Sequence, residues 1–248
     1  MKITASSICD IGKRRLCNQD AVLVYQDEVH DFALFLVADG MGGHADGEKA
    51  SGAIAAGIRS WLSQIQIAKY SNNIAALLRT VSDKMIEIND FILETWNQQQ
   101  TCGSTCVLLL LLGEFYGVFA VGDSRIYLSR GLRCAPITKD DVWENQHGIA
   151  DKYAGCDLSQ HRHYGKLLHS VGSERPLAYS VLTERLQRGD VFALCSDGVY
   201  KMCTPQFLER KIRSCRWRDL NTIKKDIMRQ VYHNGAEDNA SLILVKCQ

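Results

Sequence analysis

Phe32-Ala33-Leu34-Phe35-Leu36-Val37-Ala38-Asp39-Gly40-Met41-Gly42-Gly43-His44 is a β-type apolar run that stops at an acidic residue and a glycine-rich turn. Asp and Gly are poor strand material, so the strand is expected to end at Asp39. One such junction is only a turn, but this chain repeats it. Asn18-Gln19-Asp20 precedes one β-type run and Gly122-Asp123-Ser124-Arg125 follows another. Ser196-Asp197-Gly198 follows a third, and Glu237-Asp238-Asn239 precedes the last. Carboxylates far apart in sequence, each abutting a strand, point to convergence on one metal-filled cleft.

Upstream of Asp39 lie two more β-type runs, Ile3–Cys9 and Ala21–Gln26. Downstream, Glu48–Ile67 places Ala50, Ile54, Ile58, Trp61 and Ile65 on one helical face, and Ile74–Trp96 does the same with Leu77, Val81, Met85, Ile88 and Ile92. Ser71-Asn72-Asn73 breaks the first helix and caps the second. The pair is expected to pack on a sheet as a hairpin; its apolar faces read as core, not as a ligand groove. Strands resume over Ser104–Leu112, Tyr116–Val121, Ile126–Ser129 and Arg133–Ile137, with a hairpin turn at Gly113-Glu114. Residues 138–176 are polar, aperiodic and carry four of the seven histidines. A loop this long inside a domain is functional or mobile. Tyr179–Leu186 and Val191–Cys195 follow as strands, Pro205–Ile212 and Leu220–Tyr232 as helices, and Ala240–Cys247 as a closing strand. The order predicts an α/β (α+β) sandwich: two mainly antiparallel sheets with helices outside, in a single domain over 1–248.

Bulk properties narrow the function. A net charge of +1 without a basic stripe argues against a nucleic-acid partner. Val107 to Leu112, the longest apolar run, is far short of the ~20 residues of a membrane helix and reads as a strand buried on both faces. The ten cysteines form no C-x-x-C pair, and the N-terminus lacks a secretory signal pattern. Free thiols in a reducing cytoplasm are the expectation. A monomer without membrane attachment is expected.

Asp39, Asp197 and Asp238 suit a binuclear site for a hard cation such as Mg²⁺ or Mn²⁺. A water shared by two such ions is acidic enough to be hydroxide near neutral pH and to attack phosphorus or a carbonyl carbon. Gly40 is expected to let its carbonyl approach a metal. Arg15, five residues before Asp20, has the fork geometry that clamps a phosphate. The plain alternative for Arg15 is a surface charge beside Lys13 and Arg14. For Asp123 it is a turn cap paired with Arg125, and for His44 a structural histidine near a helix start. Cys156, His161, His163 and His169 match no standard zinc spacing and read as a histidine-rich loop.

Taken together, Gly12, Arg15, Asn18 and Asp20, then Asp39-Gly40-Met41-Gly42-Gly43-His44, Gly103-Ser104-Thr105, Val121-Gly122-Asp123-Ser124-Arg125, Ser196-Asp197-Gly198 and Glu237-Asp238-Asn239 resemble the metal-dependent Ser/Thr protein phosphatases of type 2C. Order and spacing agree over nearly the whole chain, and Met41 resembles the bacterial branch. The resemblance implies a four-layer αββα sandwich around a binuclear Mn²⁺/Mg²⁺ centre. It implies that Asp39 bridges both ions, that the Gly40 carbonyl binds one, and that Asp197 and Asp238 hold the other. It further implies that Asp20 orders metal-bound water, that Arg15 receives the substrate phosphate, and that Asp123 contributes to a third, weaker ion. Residues 138–176 correspond to a flap beside the site. The implied partner is a phosphoprotein, a bacterial Ser/Thr kinase or one of its targets.

Three departures stand out. Gln19 replaces an acidic residue of many members. Lys201, four residues after Asp197, replaces an Asp associated with the third ion and disfavours a cation there, so two ions are expected. Met41 has no proton to give a leaving alkoxide. Gln19, Lys201 and the unusual composition of residues 138–176 keep open a phosphatase-like module that binds a phosphorylated partner without hydrolysing it. The generic metal centre also leaves open a hydrolase for a small phosphorylated molecule.

Overall fold

The computed structural model describes residues 2–42, 46–70, 73–96 and 102–248. In chain order its strands and helices are β1 (Ile3–Asp10), β2 (Asp20–Asp27), β3 (Phe32–Gly42), α1 (Asp46–Gln64), α2 (Ile74–Thr95), β4 (Cys102–Ser104), β5 (Cys106–Leu112), β6 (Phe115–Val121), β7 (Arg125–Arg130), β8 (Arg133–Pro136), α3 (Ile149–Lys152), β9 (Ser180–Arg185), β10 (Val191–Cys195), α4 (Asp197–Tyr200), α5 (Pro205–Ser214), α6 (Leu220–His233) and β11 (Ala240–Cys247). The strands form two antiparallel sheets. One runs β1-β11-β10-β7-β8; the other runs β2-β3-β5-β6-β9, with β4 paired to β3.

Strand alternation builds three apolar layers. Phe35, Val37, Leu109, Leu111, Phe192, Leu194 and Ile243 meet between the sheets. Leu34, Leu36, Leu108 and Leu110 turn the other way, onto Ile54, Ile58, Leu77 and Met85 of α1 and α2. Ala193, Leu242 and Leu244 likewise turn outward onto Leu208, Ile212, Ile223 and Ile227 of α5 and α6. Each buried Leu, Ile or Phe contributes about 1.5–3 kcal/mol, which is ample for a helix–sheet–sheet–helix stack. Because β5 is apolar on both faces, alternation alone leaves its register open. The tight turn pairing Leu112 with Phe115 closes that choice. So does Gly117, where an added Cβ would stand 3.3 Å from Ile74 Cγ1 on α2.

Two boundaries differ from expectation. β3 does not end at Asp39; Gly40, Met41 and Gly42 continue it by pairing with β4. The predicted strand Ser104–Leu112 is broken at Thr105, whose N–H turns to the Asp39 carbonyl at 2.9 Å. Asn73 caps α2 by accepting from the Ala76 N–H, whereas Ser71, Asn72 and His44 lie outside the described residues. No helix among the described residues is long and apolar enough to cross a membrane.

The pairings put the acidic junctions at one end. Asp20 at the start of β2 is opposite Asp39 near the end of β3. Cys195 ends β10 beside Leu242 of β11 and Arg125 of β7, so Asp197, Asp238 and Asp123 emerge together. The short link from β6 to β7, which holds Asp123, crosses between the sheets at that end.

Candidate active site

A cleft of about 250 Å³ opens where these strand ends meet. Asp39, Asp123, Asp197 and Asp238 line it, with Arg15 and Lys201 as its cations. Met41 adds an apolar surface, and Gly165 and Leu167 reach it from the 138–176 segment. Asp20 lies just beneath, buried.

Each carboxylate is placed by backbone. Asp39 rides on β3, where its N–H donates to Thr105 Oγ1 at 3.1 Å and its carbonyl accepts from Ser104 Oγ at 3.0 Å. Thr105 Oγ1 is in turn 2.8 Å from Ser124 Oγ. Asp197 heads α4, a one-turn helix that strand reasoning missed; Ser196 before it is its cap residue. Asp20 Oδ2 accepts from Ser196 Oγ at 2.8 Å, and that same Oγ accepts from the Ser241 N–H at 2.9 Å. Asn239 ties the β1–β2 loop to the cleft floor. Its Nδ2 donates to the Ile11 and Cys17 carbonyls, and its Oδ1 accepts from the Gln19 N–H.

Arg15 Nη2 is 2.7 Å from Asp238 Oδ2, and its side chain stays 49% exposed at the mouth. Lys201 Nζ is 2.6 Å from Asp197 Oδ2 and 3.8 Å from Asp123 Oδ2. Asp123 also accepts from the Tyr200 hydroxyl at 3.0 Å. The Asp123–Arg125 pair, the plain alternative for Asp123, does not form. Arg125 instead holds Asp140 with two bonds, of 2.9 and 2.6 Å. Sequence separation hid this, since nothing local marks Asp140 as the better partner.

The electrostatics follow from crowding acidic groups at a strand end. Burial first, then the charges of Asp20, Asp197 and Asp123, holds the Asp39 carboxyl well above the ordinary carboxylate range. Burial, with Asp197 and Asp238 nearby, pushes Asp20 up to about 6. Asp123 is raised by burial and by Asp197. Asp20 Oδ1 is buried without a hydrogen-bond partner. An orphaned carboxylate oxygen beside mutually repelling acids is a site short of positive charge.

The residues fit a hard divalent ion in kind: oxygen donors, buried, in excess of cations. Among the described residues no three acidic, histidine or cysteine side chains already surround one point. Arg15 and Lys201 each draw one carboxylate oxygen to themselves. The requirement for glycine at position 40 has a different origin from the one expected. A Cβ there would collide with the Gly47 backbone and the Gln19 carbonyl, so glycine lets α1 begin tight against β3. Gln19 is buried in the same junction; its carbonyl accepts from the Gly40 N–H and Ser51 Oγ.

Of the 138–176 histidines, His161 and His163 are neighbours, with ring centroids 5.4 Å apart, but His169 has a separate partner. His161 stacks on Trp143 with centroids 4.1 Å apart, and His163 is tilted at 6.0 Å from the same ring. His169 instead bonds Asp141 at 2.7 Å, and Cys156 is exposed. Sequence reasoning missed Ser196, Tyr200 and Thr105 as partners, and Gly165 and Leu167 as cleft walls. Only Ser196 carried a local signal, as a small hydroxyl residue beside Asp197, and Thr105 lay in the Gly103-Ser104-Thr105 stretch quoted above.

The family model described as protein phosphatase 2C matches residues 12–231. The serine/threonine phosphatase stp of Listeria monocytogenes serovar 1/2a is 25% identical over 238 residues, covering 96% of this chain and 93% of its own. Protein phosphatase PhpP of Streptococcus pneumoniae serotype 2 is 25% identical over 247 residues, covering 97% and 96%. The solved S. agalactiae serine/threonine phosphatase matches with a TM-score of 0.88 at 23% identity over 100% of both chains. The Mycobacterium tuberculosis serine/threonine phosphatase PstP/Ppp matches at 0.79 and 23% identity, over 99% of each. These structural matches establish the fold, an antiparallel αββα sandwich. With its acidic junctions gathered at one end of that sandwich and the family pattern running through most of its length, the chain belongs to the protein phosphatase 2C family of phosphoprotein phosphatases.

Proposed function

We propose that this protein is a metal-dependent serine/threonine phosphatase that hydrolyses phosphoserine and phosphothreonine in one displacement. The observation that carries the reading is the convergence of Asp20, Asp39, Asp197 and Asp238, from two sheets, on a cleft that also holds the Arg15 guanidinium. Two Mn²⁺ or Mg²⁺ ions, when bound, would supply charge neutralisation and acidify water. Asp39, the Gly40 carbonyl, Asp197 and Asp238 would hold them. Asp20, fixed by Ser196, presents its unpartnered Oδ1 as an acceptor that orients water.

Arg15 engages the phosphoryl group. Its half-exposed fork, now on Asp238, suits two parallel bonds to phosphate oxygens. Among the described residues no serine or cysteine lines the cleft, and the one hydroxyl there, that of Thr105, is engaged by the Asp39 N–H and Ser124. That supports direct attack by water on phosphorus. Met41 shields one wall and carries no proton, so the leaving oxygen takes its proton from elsewhere.

The substrate is a phosphoprotein, a bacterial Ser/Thr kinase or one of its targets, approached along the wall formed by Gly165 and Leu167. The enzyme would work as a monomer of one domain, and its ten free thiols suit a reducing cytoplasm. The test is hydrolysis of a phosphothreonine peptide and of p-nitrophenyl phosphate with Mn²⁺, Mg²⁺ or EDTA. Metal-dependent phosphate release is expected, abolished by Asp39→Asn or Asp238→Asn in folded protein. Full turnover in EDTA or in either variant would overturn the reading.

A further inference from the structure

Lys201 is the second cation of the cleft, and nothing in the reaction outlined above uses it. Its ammonium bonds Asp197 Oδ2 at 2.6 Å, while Asp123 Oδ2, at 3.8 Å, is beyond hydrogen-bond reach. An ammonium has three N–H donors, so this arrangement leaves two uncommitted. The side chain is 52% exposed and lines the same cleft as Arg15.

The position of that ammonium is built. The Tyr200 hydroxyl donates to Asp123 Oδ2 at 3.0 Å, and the Tyr200 ring lies 3.7 Å from the Arg125 guanidinium carbon. Arg125 is locked in turn by two bonds to Asp140. Asp123, Asp197 and the α4 backbone thus frame Lys201 from three sides. A merely solvated surface pair would not need a buried carboxylate and a stacked Tyr–Arg scaffold around it. Arg15 and Lys201 both lie within electrostatic reach of Asp39, so a group bound over Asp39 feels both cations.

We propose that Lys201 is a second phosphate-binding residue, which with Arg15 forms a two-cation clamp for a dianionic phosphate monoester and for the inorganic phosphate released from it. The inference rests on the phosphatase reading and extends it to substrate class. Two fixed cations favour a dianionic monoester over a monoanionic diester, since each added charge on the ligand meets both.

The experiment compares the wild-type chain with Lys201→Met, Lys201→Gln and Lys201→Arg. Inorganic phosphate is titrated calorimetrically into Mn²⁺-loaded protein, and bound Mn²⁺ is counted by electron paramagnetic resonance. Loss of the charge should weaken phosphate binding about tenfold, equivalent to ~1.4 kcal/mol, with the arginine variant close to wild type. The number of bound Mn²⁺ ions should not change. KM for p-nitrophenyl phosphate should rise more than kcat falls, and the preference for it over bis(p-nitrophenyl) phosphate should narrow. The glutamine variant keeps a donor to Asp197, and so guards against a folding loss in the methionine variant. Unchanged phosphate affinity in both neutral variants would overturn the proposal. So would an additional bound Mn²⁺ with phosphate binding as tight as wild type, because Lys201 would then serve only to exclude an ion. Wild-type protein that binds phosphate through Lys201 yet hydrolyses nothing would overturn the phosphatase reading and leave the clamp standing.

Discussion

Asp20 and Asp39 are directly opposite one another across the β2–β3 pair. Like charges at paired positions of an antiparallel ladder are destabilising, and burial makes this pair worse. The sandwich therefore carries a stored repulsion at the end where its chemistry is proposed.

Removing one of these charges should separate stability from activity. Asp39→Asn is expected to raise the stability of the protein in EDTA by about 1 kcal/mol while eliminating turnover. Mn²⁺ should raise the melting temperature of the wild type, and of this variant far less. Thermal melts in EDTA and in Mn²⁺ decide it; a variant that melts lower than wild type in EDTA contradicts the argument.

Ser196 Oγ donates to the Asp20 carboxylate and also accepts from the Ser241 N–H. Ser196→Ala leaves two buried groups short of a partner, at a cost of about 1–3 kcal/mol for each unsatisfied group. Urea denaturation should show that loss. A variant as stable as wild type would mean that water or a shifted side chain replaces the hydroxyl.

Glycines 40 and 52 should respond in opposite directions. A methyl at Gly40 meets the Gly47 backbone and the Gln19 carbonyl, whereas one at Gly52 on α1 meets nothing within 4 Å. Gly40→Ala should therefore destabilise by roughly 1–3 kcal/mol or more. Gly52→Ala should stabilise by about 0.5–1 kcal/mol through helix propensity. Denaturant midpoints of the two variants test the pair; equal effects would refute the packing account of Gly40.

Asp226 joins α5 to α6: its carboxylate is 2.7 Å from Lys211 Nζ and 3.0 Å from Arg229 Nη1. The Lys211 bond, above all, holds its carboxyl below the ordinary carboxylate range. A depressed carboxylate contributes stability above its unfolded pKa and loses it as pH falls through the folded one. Asp226→Asn should thus cost about 1 kcal/mol near pH 7, discounted for solvent screening, and progressively less as the medium is acidified below the unfolded value. Chemical denaturation across that range checks the sign; a constant difference would assign the loss to packing.

Much of this molecule was legible because its strands are short apolar runs bounded by turns. Leu108 and Leu110 face the helices while Leu109 and Leu111 face the other sheet, and both sets are apolar in the sequence. The acidic junctions were legible for the same reason, as carboxylates where apolar runs meet turns. The continuation of β3 past Asp39 was not, because only pairing with the distant β4 makes Gly40–Gly42 a strand. Nor was the choice of partners. Arg125 has Asp123 two residues away yet binds Asp140, and Tyr200 takes Asp123 from across the cleft.

Legible along the chain were the layers, the acidic junctions at Asp20, Asp39, Asp123, Asp197 and Asp238, and the family those junctions mark. These depend on local periodicity and on residue chemistry, both of which are read along the chain. Only folding shows that Ser196 holds Asp20, that glycine at 40 serves the α1 junction, and that Lys201 shares its cleft with Arg15 and with Leu167 of the 138–176 segment. Those are contacts between segments brought together by folding, and their energies depend on distance and burial, which no spacing along the chain encodes.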